Sequence, residues 1–186
     1  MSQLRLCLTT ILLAVLAGAC SSVPAGRAVS IAAGGFELVG RVAISYAGEG
    51  ASGRVEWKHS AEADELLITS VLGQGIARIT RRDGEVRLVT AEHKEYAATD
   101  AETLTEQVLG WRLPLAGLPD WVQGRADPVR PGTLLMRDAQ SRLIELRQDD
   151  WRVEYQDYAG ARPSRMRISR AGMEIRLIVD QWVVSQ

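Results

Sequence analysis

Phe36-Glu37-Leu38-Val39-Gly40-Arg41-Val42-Ala43-Ile44-Ser45-Tyr46 is the stretch whose reading decides the fold. Phe36, Leu38, Val42, Ile44 and Tyr46 recur with a period of two, which gives an extended strand one apolar face. Moving outward, the alternation returns. A glycine-rich turn from Gly48 to Gly53 precedes Val55, Trp57 and His59 on a second strand, and further strands are predicted over 65–71, 76–81, 85–90 and 95–98. Asp83-Gly84 is a tight hairpin signal between two of them. Later strands are predicted over 133–136, 143–148, 151–158, 165–170 and 173–184, with turns at Asp138-Ala139-Gln140, Asp149-Asp150, Gly160 and Gly172.

Between the two runs of strands lies the one convincing helix. It opens at the capping-box pattern Thr99-Asp100-Ala101-Glu102, carries Leu104, Val108 and Leu109 on one side and stops at Gly110. A second short helix after Pro114 places Leu115, Leu118, Trp121 and Val122 on one face and ends at Gly124, after which Pro128 and Pro131 enforce a loop. About eleven short strands with tight turns predict a mainly β antiparallel meander that curls toward a barrel. Two short helices can plug the mouth of such a sheet more readily than fill it, which favours an apolar hollow under a helical lid. Side chains that simply fill the interior are the equal alternative, because most small barrels are packed that way.

Upstream, Arg5 and the apolar run Leu6 to Leu16 precede Ala17-Gly18-Ala19-Cys20. The run is too short to span a bilayer and ends in small residues, so residues 1–19 read as a cleaved export signal. The final tetrad resembles the lipobox of bacterial lipoproteins, with Cys20 as the acceptor of S-diacylglycerol and N-acyl groups. Residues 20–35 are small and polar and read as a linker, and residues 36–186 as a single domain. Removing residues 1–19 takes away one charge, Arg5, and leaves 21 basic against 23 acidic side chains, a balance of −2 that gives no case for nucleic acid. With Cys7 lost and Cys20 acylated, no disulfide is available.

Several motifs carry little. Gly48-Glu49-Gly50-Ala51-Ser52-Gly53 satisfies G-x-G-x-x-G, but the residues after it form a strand and not the helix that a dinucleotide site needs. His59 and His93 are expected at the surface, and the carboxylates of Glu62-Ala63-Asp64-Glu65 and Asp149-Asp150 are expected to be solvated at turns. Neither set composes a metal site or an acid/base pair, so no catalytic residue and no metal is assigned. Arg41 and Arg54 fall on adjoining strands, where a contact to a lid or partner competes with ordinary exposure. Val71-Leu72, between Ser70 and Gly73, places bulky apolar side chains at a hairpin tip where polar residues are the rule. Either they dip into a bilayer surface or they fold back on the sheet.

Taken in order, Gly40-Arg41-Val42-Ala43-Ile44, Val55-Glu56-Trp57, Val71-Leu72-Gly73, 109–115, 118–124, 148–155 and Val179-Asp180-Gln181-Trp182 resemble the LolB family of outer-membrane lipoprotein receptors. The resemblance implies an unclosed β-barrel with a lid over an apolar cavity and no catalysis. It implies receipt of lipoproteins from a LolA-like periplasmic carrier and their insertion into the inner leaflet of a Gram-negative outer membrane, with Leu72 and its neighbour Val71 at the inserting hairpin. Ser21 after the cysteine agrees with outer-membrane sorting. The expected partners are the carrier, lipoprotein acyl chains and outer-membrane lipid, with the protein a monomer that needs no cofactor beyond its own lipid. On strand parity the cavity wall is assigned to Ile44, Trp57, Leu66, Ile68, Leu88, Leu146, Trp151 and Val153, and the lid to Leu104, Val108, Leu118 and Trp121. The competing function is a lipid-binding or structural outer-membrane lipoprotein with no transfer role.

Overall fold

A computed structural model describes residues 35–130 and 133–184. The export signal, Cys20 and all of the linker but Gly35 lie outside the described residues, as do Pro131 and Gly132. The strands are β1 (Phe36–Tyr46), β2 (Glu49–His59), β3 (Ala63–Ser70), β4 (Gly75–Arg82), β5 (Glu85–Thr90), β6 (Glu95–Ala98), β7 (Leu134–Arg137), β8 (Leu143–Gln148), β9 (Trp151–Ala159), β10 (Arg162–Arg170) and β11 (Met173–Val184). All eleven join one antiparallel sheet in the order β6-β5-β4-β3-β2-β1-β11-β10-β9-β8-β7. First and last strands are therefore neighbours at the centre, while β6 and β7 are the two edges of an unclosed barrel. The chain passes from one edge to the other through a crossing segment that carries α1 (Ala101–Leu109) and α2 (Leu118–Trp121).

The alternation in β1 is realised: Phe36, Leu38 and Ile44 are buried, while Arg41 and Ser45 are exposed. A single hydrophobic cluster joins the inner faces of both wings of the sheet to Leu104, Leu113, Leu115, Leu118, Trp121 and Val122 of the crossing segment. Burying an aliphatic side chain of this size removes it from water at a gain of roughly 1.5–3 kcal/mol, so the crossing segment is held chiefly by its apolar side.

Three expectations are corrected. The turn expected over Gly48 to Gly53 is only two residues, Ala47 and Gly48, at φ 51° and 86°. Two left-handed residues match the twist of the flanking strands, so the ladder continues through the glycines, from Tyr46 opposite Glu49 to Val42 opposite Gly53. A Cβ at Gly53 would lie 2.1 Å from the Thr69 carbonyl oxygen, so that glycine serves a close strand approach rather than a loop. The cap of α1 is Asp100, whose carboxylate accepts from the Thr103 amide at 2.7 Å, and not Thr99. The shift takes Glu102 out of the capping box and frees it to meet Arg170 at 3.2 Å. Finally, His59 is half-buried and Asp64 is 1 % exposed. Ser60 and Ala63 close the β2–β3 turn with their own hydrogen bonds, so Asp64 already sits on β3, opposite His59 and facing inward. His93 is exposed, as expected.

Candidate functional site

The inner faces of β1, β2, β3, β10 and β11 and the segment that roofs them border a cavity of about 50 Å³. Its fourteen lining side chains are all aliphatic or indole. Of the residues assigned by parity, Ile44, Trp57, Leu66, Ile68 and Leu118 line it. Leu88, Leu104, Trp121, Leu146, Trp151 and Val153 are buried in the same core without reaching the void, and Val108 is half-buried on α1. The wall is completed by Leu38, Val42, Val55, Ile168, Ile175 and Leu177 from the sheet and by Trp111, Leu113 and Val122 from the roof. The strand residues among these carried an alternation signal. Trp111 and Leu113 lie between the helices, where no periodicity announces them.

The size of the void decides its state. An apolar cavity of roughly 150 Å³ accommodates benzene, so one a third as large holds no acyl chain until the roof shifts. Both alternatives left open by the periodicity are therefore partly realised: tryptophan and leucine side chains fill most of the interior, and an apolar seam remains beneath the roof.

The roof is fastened unequally. On the α2 side, Gln148 of β8 is 1 % exposed, and its Oε1 accepts from Trp121 Nε1 at 2.9 Å and from the Asp127 amide at 3.0 Å. Its Nε2 donates to the Asp127 carbonyl at 2.8 Å and faces the Arg130 carbonyl and Thr133 Oγ1. Tyr155 donates its hydroxyl to the Trp121 carbonyl at 2.8 Å, and burial pushes that phenol far above its ordinary range, so it stays a donor. On the α1 side the polar ties are fewer. Thr105 Oγ1 accepts from the Leu113 amide at 2.9 Å, and Glu102 meets Arg170, whose guanidinium also lies over the Trp151 ring. Arg41 does not reach the roof: it is exposed and forms a forked pair with Asp180 across the β1–β11 ladder.

The two ends of the central strands differ. At the end where β1 begins, here called the base, Phe36 meets Trp57 and His59 at 4.9 Å and Trp182 at 5.4 Å between ring centroids. Asp64 ties this wedge together by accepting from Trp57 Nε1 at 2.9 Å, lying 2.7 Å from His59 Nδ1 and pairing with Arg81 at 2.6 Å. At the opposite end, here called the tip, the β1–β2 turn touches the β10–β11 turn through the Ala47 amide and the Gly172 carbonyl. By the antiparallel register the β3–β4 hairpin turns at this same end. Its loop is closed by Ser70 and Gln74, and it exposes Val71 by 72 % and Leu72 by 84 %. Among the described residues, no helix is long and apolar enough to cross a membrane.

Residues 35–182 match the protein family described as Outer membrane lipoprotein LolB. An outer-membrane lipoprotein LolB of Thiobacillus denitrificans is 40% identical over 169 residues, covering 89% of this chain and 90% of its own length. One from Nitrosomonas europaea is 41% identical over 167 residues, covering 86% and 77% respectively. Among solved structures, a LolA superfamily protein from Nitrosomonas europaea superposes with a TM-score of 0.52 at 11% identity, over 82% of this chain and 86% of that one, which is a likeness of fold alone.

Proposed function

This chain belongs to the LolB family of outer-membrane lipoproteins, and from that premise we propose that it takes the acyl chains of a lipoprotein from a LolA-like carrier and releases them into the inner leaflet. It acts at the outer membrane as a receptor in lipoprotein localisation. The observation that carries the reading is the wholly apolar wall of the roofed cavity. At about 0.8 kcal/mol per buried CH₂, exposing one chain of about 16 carbons costs on the order of 12 kcal/mol, so cargo has to pass from one apolar shelter to the next. A wall of aliphatic and indole groups is such a shelter, and the transfer calls for no chemistry on the cargo.

Cys20 is the acylated residue that tethers the protein, which works as a monomer. Leu72, with Val71 beside it, then brings the tip to the bilayer. Moving one leucine out of water is worth roughly 1.5–3 kcal/mol, enough for a touch and too little for an anchor. The test places the full chain in phospholipid vesicles and adds a radiolabelled lipoprotein on its LolA-type carrier. Label should move to the receptor and then to the bilayer; label that stays on the carrier favours a structural or lipid-holding role instead. Leu72→Glu should accept the label and fail to deposit it. Normal deposition by that variant removes the hairpin from the mechanism.

A further inference from the structure

The glycine-rich opening of β2, rejected as a nucleotide site, borders a second hollow. About 400 Å³ of open space at the tip end is lined by Tyr46, Ala47, Glu49, Gly50 and Ala51 on the sheet side and by Leu109 and Gly110 on the α1 side. It shares two further lining residues, Ile44 and Trp111, with the apolar cavity. Those two side chains stand where the vestibule meets the apolar interior.

They differ in what holds them. Ile44 is buried on β1, which is paired on both sides, so its backbone cannot yield without breaking two ladders. Trp111 is half-buried, belongs to no helix or strand and follows Gly110, whose φ of 80° ends α1. Its neighbours are nevertheless fixed: the Gly110 amide donates to the Glu106 carbonyl at 3.0 Å, Arg112 pairs with Glu106 at 2.7 Å, and the Leu113 amide donates to Thr105 Oγ1. An indole on a pinned backbone can turn aside by rotamer change, which clears a path to the cavity before the roof shifts to make room for the chain. Opposite it, the inward positions of β2 run from Glu49 at the rim, partner of Tyr46, to Ala51, which faces the same side as its partner Ile44, and then Gly53. Farther in they become Val55 and Trp57. The wall is thin at the mouth and thick inside.

We propose that Trp111 is the door of the acyl-chain cavity, and that the small-residue stretch Gly50 to Gly53 of β2, behind Glu49 at the rim, is its doorway, admitting the methyl end of one unbranched acyl chain. This rests on the acyl-transfer reading above and adds to it a route and a residue. The door opens at the end of the barrel that bears Leu72, so a chain leaving the cavity emerges on the side that touches the bilayer.

The test uses the full chain in phospholipid vesicles and, as probe, palmitate brominated near its methyl end, whose heavy atom quenches the tryptophans that line and surround the cavity, each protein's rate being read against its own unquenched emission. Trp111→Ala should speed quenching at least fivefold. Ala51→Phe, at an exposed site where a ring obstructs the vestibule and leaves the fold intact, should slow it at least tenfold. Equal rates, within twofold, in the unaltered chain and both variants overturn the door while leaving acyl binding standing. An absence of quenching in all three removes the acyl-binding reading and the door together.

Discussion

At the base of the central strands, a phenylalanine, two tryptophans and a histidine close around one another and a buried carboxylate joins them to Arg81. Toward the tip β1 keeps Ile44 and Tyr46 on its inward side while β2, behind Glu49 at the rim, shrinks to alanine and glycine, a vestibule opens, and a hairpin holds its leucine out in water. One sheet thus carries a sealed end and a permissive one. The difference lies in what the inward positions of β2 hold at each end, since the ladder between β1 and β2 runs unbroken from Phe36 opposite His59 to Tyr46 opposite Glu49. Stability and function are segregated along a strand, and the hardest-packed residues stand farthest from the mouth.

Substitutions can break that contrast or refine it. Asp64→Ala strips the base of its shared acceptor and leaves the Trp57 indole N–H and Arg81 without partners, so unfolding free energy should fall by about 3–5 kcal/mol in chemical denaturation. A loss below about 1 kcal/mol would mean that the aromatic wedge seals the base alone. Gln148→Leu leaves the Trp121 indole and the Asp127 amide unsatisfied and should cost about 2 kcal/mol. Hydrogen exchange should then quicken across 118–127 more than across α1; uniform quickening would show the roof to be one body rather than two unequally fastened halves. Asp100→Ala removes the cap of α1 and should cost about 1 kcal/mol near neutral pH. Hydrogen bonding to Thr103 holds the Asp100 carboxyl below its ordinary 3.8, so the capping contribution is present above that value and lost as the pH falls below it. The gap between variant and unaltered chain should therefore close in acid, and a gap that persists would assign the effect to something other than the charge. Leu72→Ser, at the tip, should change stability by no more than about 0.5 kcal/mol, because the side chain it shortens is already in water. A larger loss would show that the hairpin braces the sheet.

Much of this architecture is legible in the sequence. Period-two alternation located the strands, Asp83-Gly84 marked a hairpin that adopts left-handed φ at both residues, and Gly110 ended the helix as expected. The failures have physical causes. Glycine is read as a turn former, yet Gly53 is needed where two backbones approach too closely for a Cβ. Asp64 looked solvated because its cation, Arg81, is 17 residues away and reaches it only through the β3–β4 register. Trp111 and Leu113 line the cavity from a segment without period. Among the many inward-facing residues, those that touch the void are selected by the curl of the sheet, so Leu88 and Leu146 share the parity of Ile44 without sharing its place.

The meeting of β1 and β11 at the middle of the sheet has a practical corollary. Phe36 stands beside Val184, so the polypeptide enters and leaves the domain at its sealed pole. A reporter fused behind the carboxyl terminus would hang clear of the mouth, whereas the same reporter spliced into Ala47-Gly48 would stop it like a cork. The adjacency also marks the domain as a candidate for circular permutation, in which a short bridge joins old start to old finish and new ends are cut at a polar hairpin such as Asp83-Gly84.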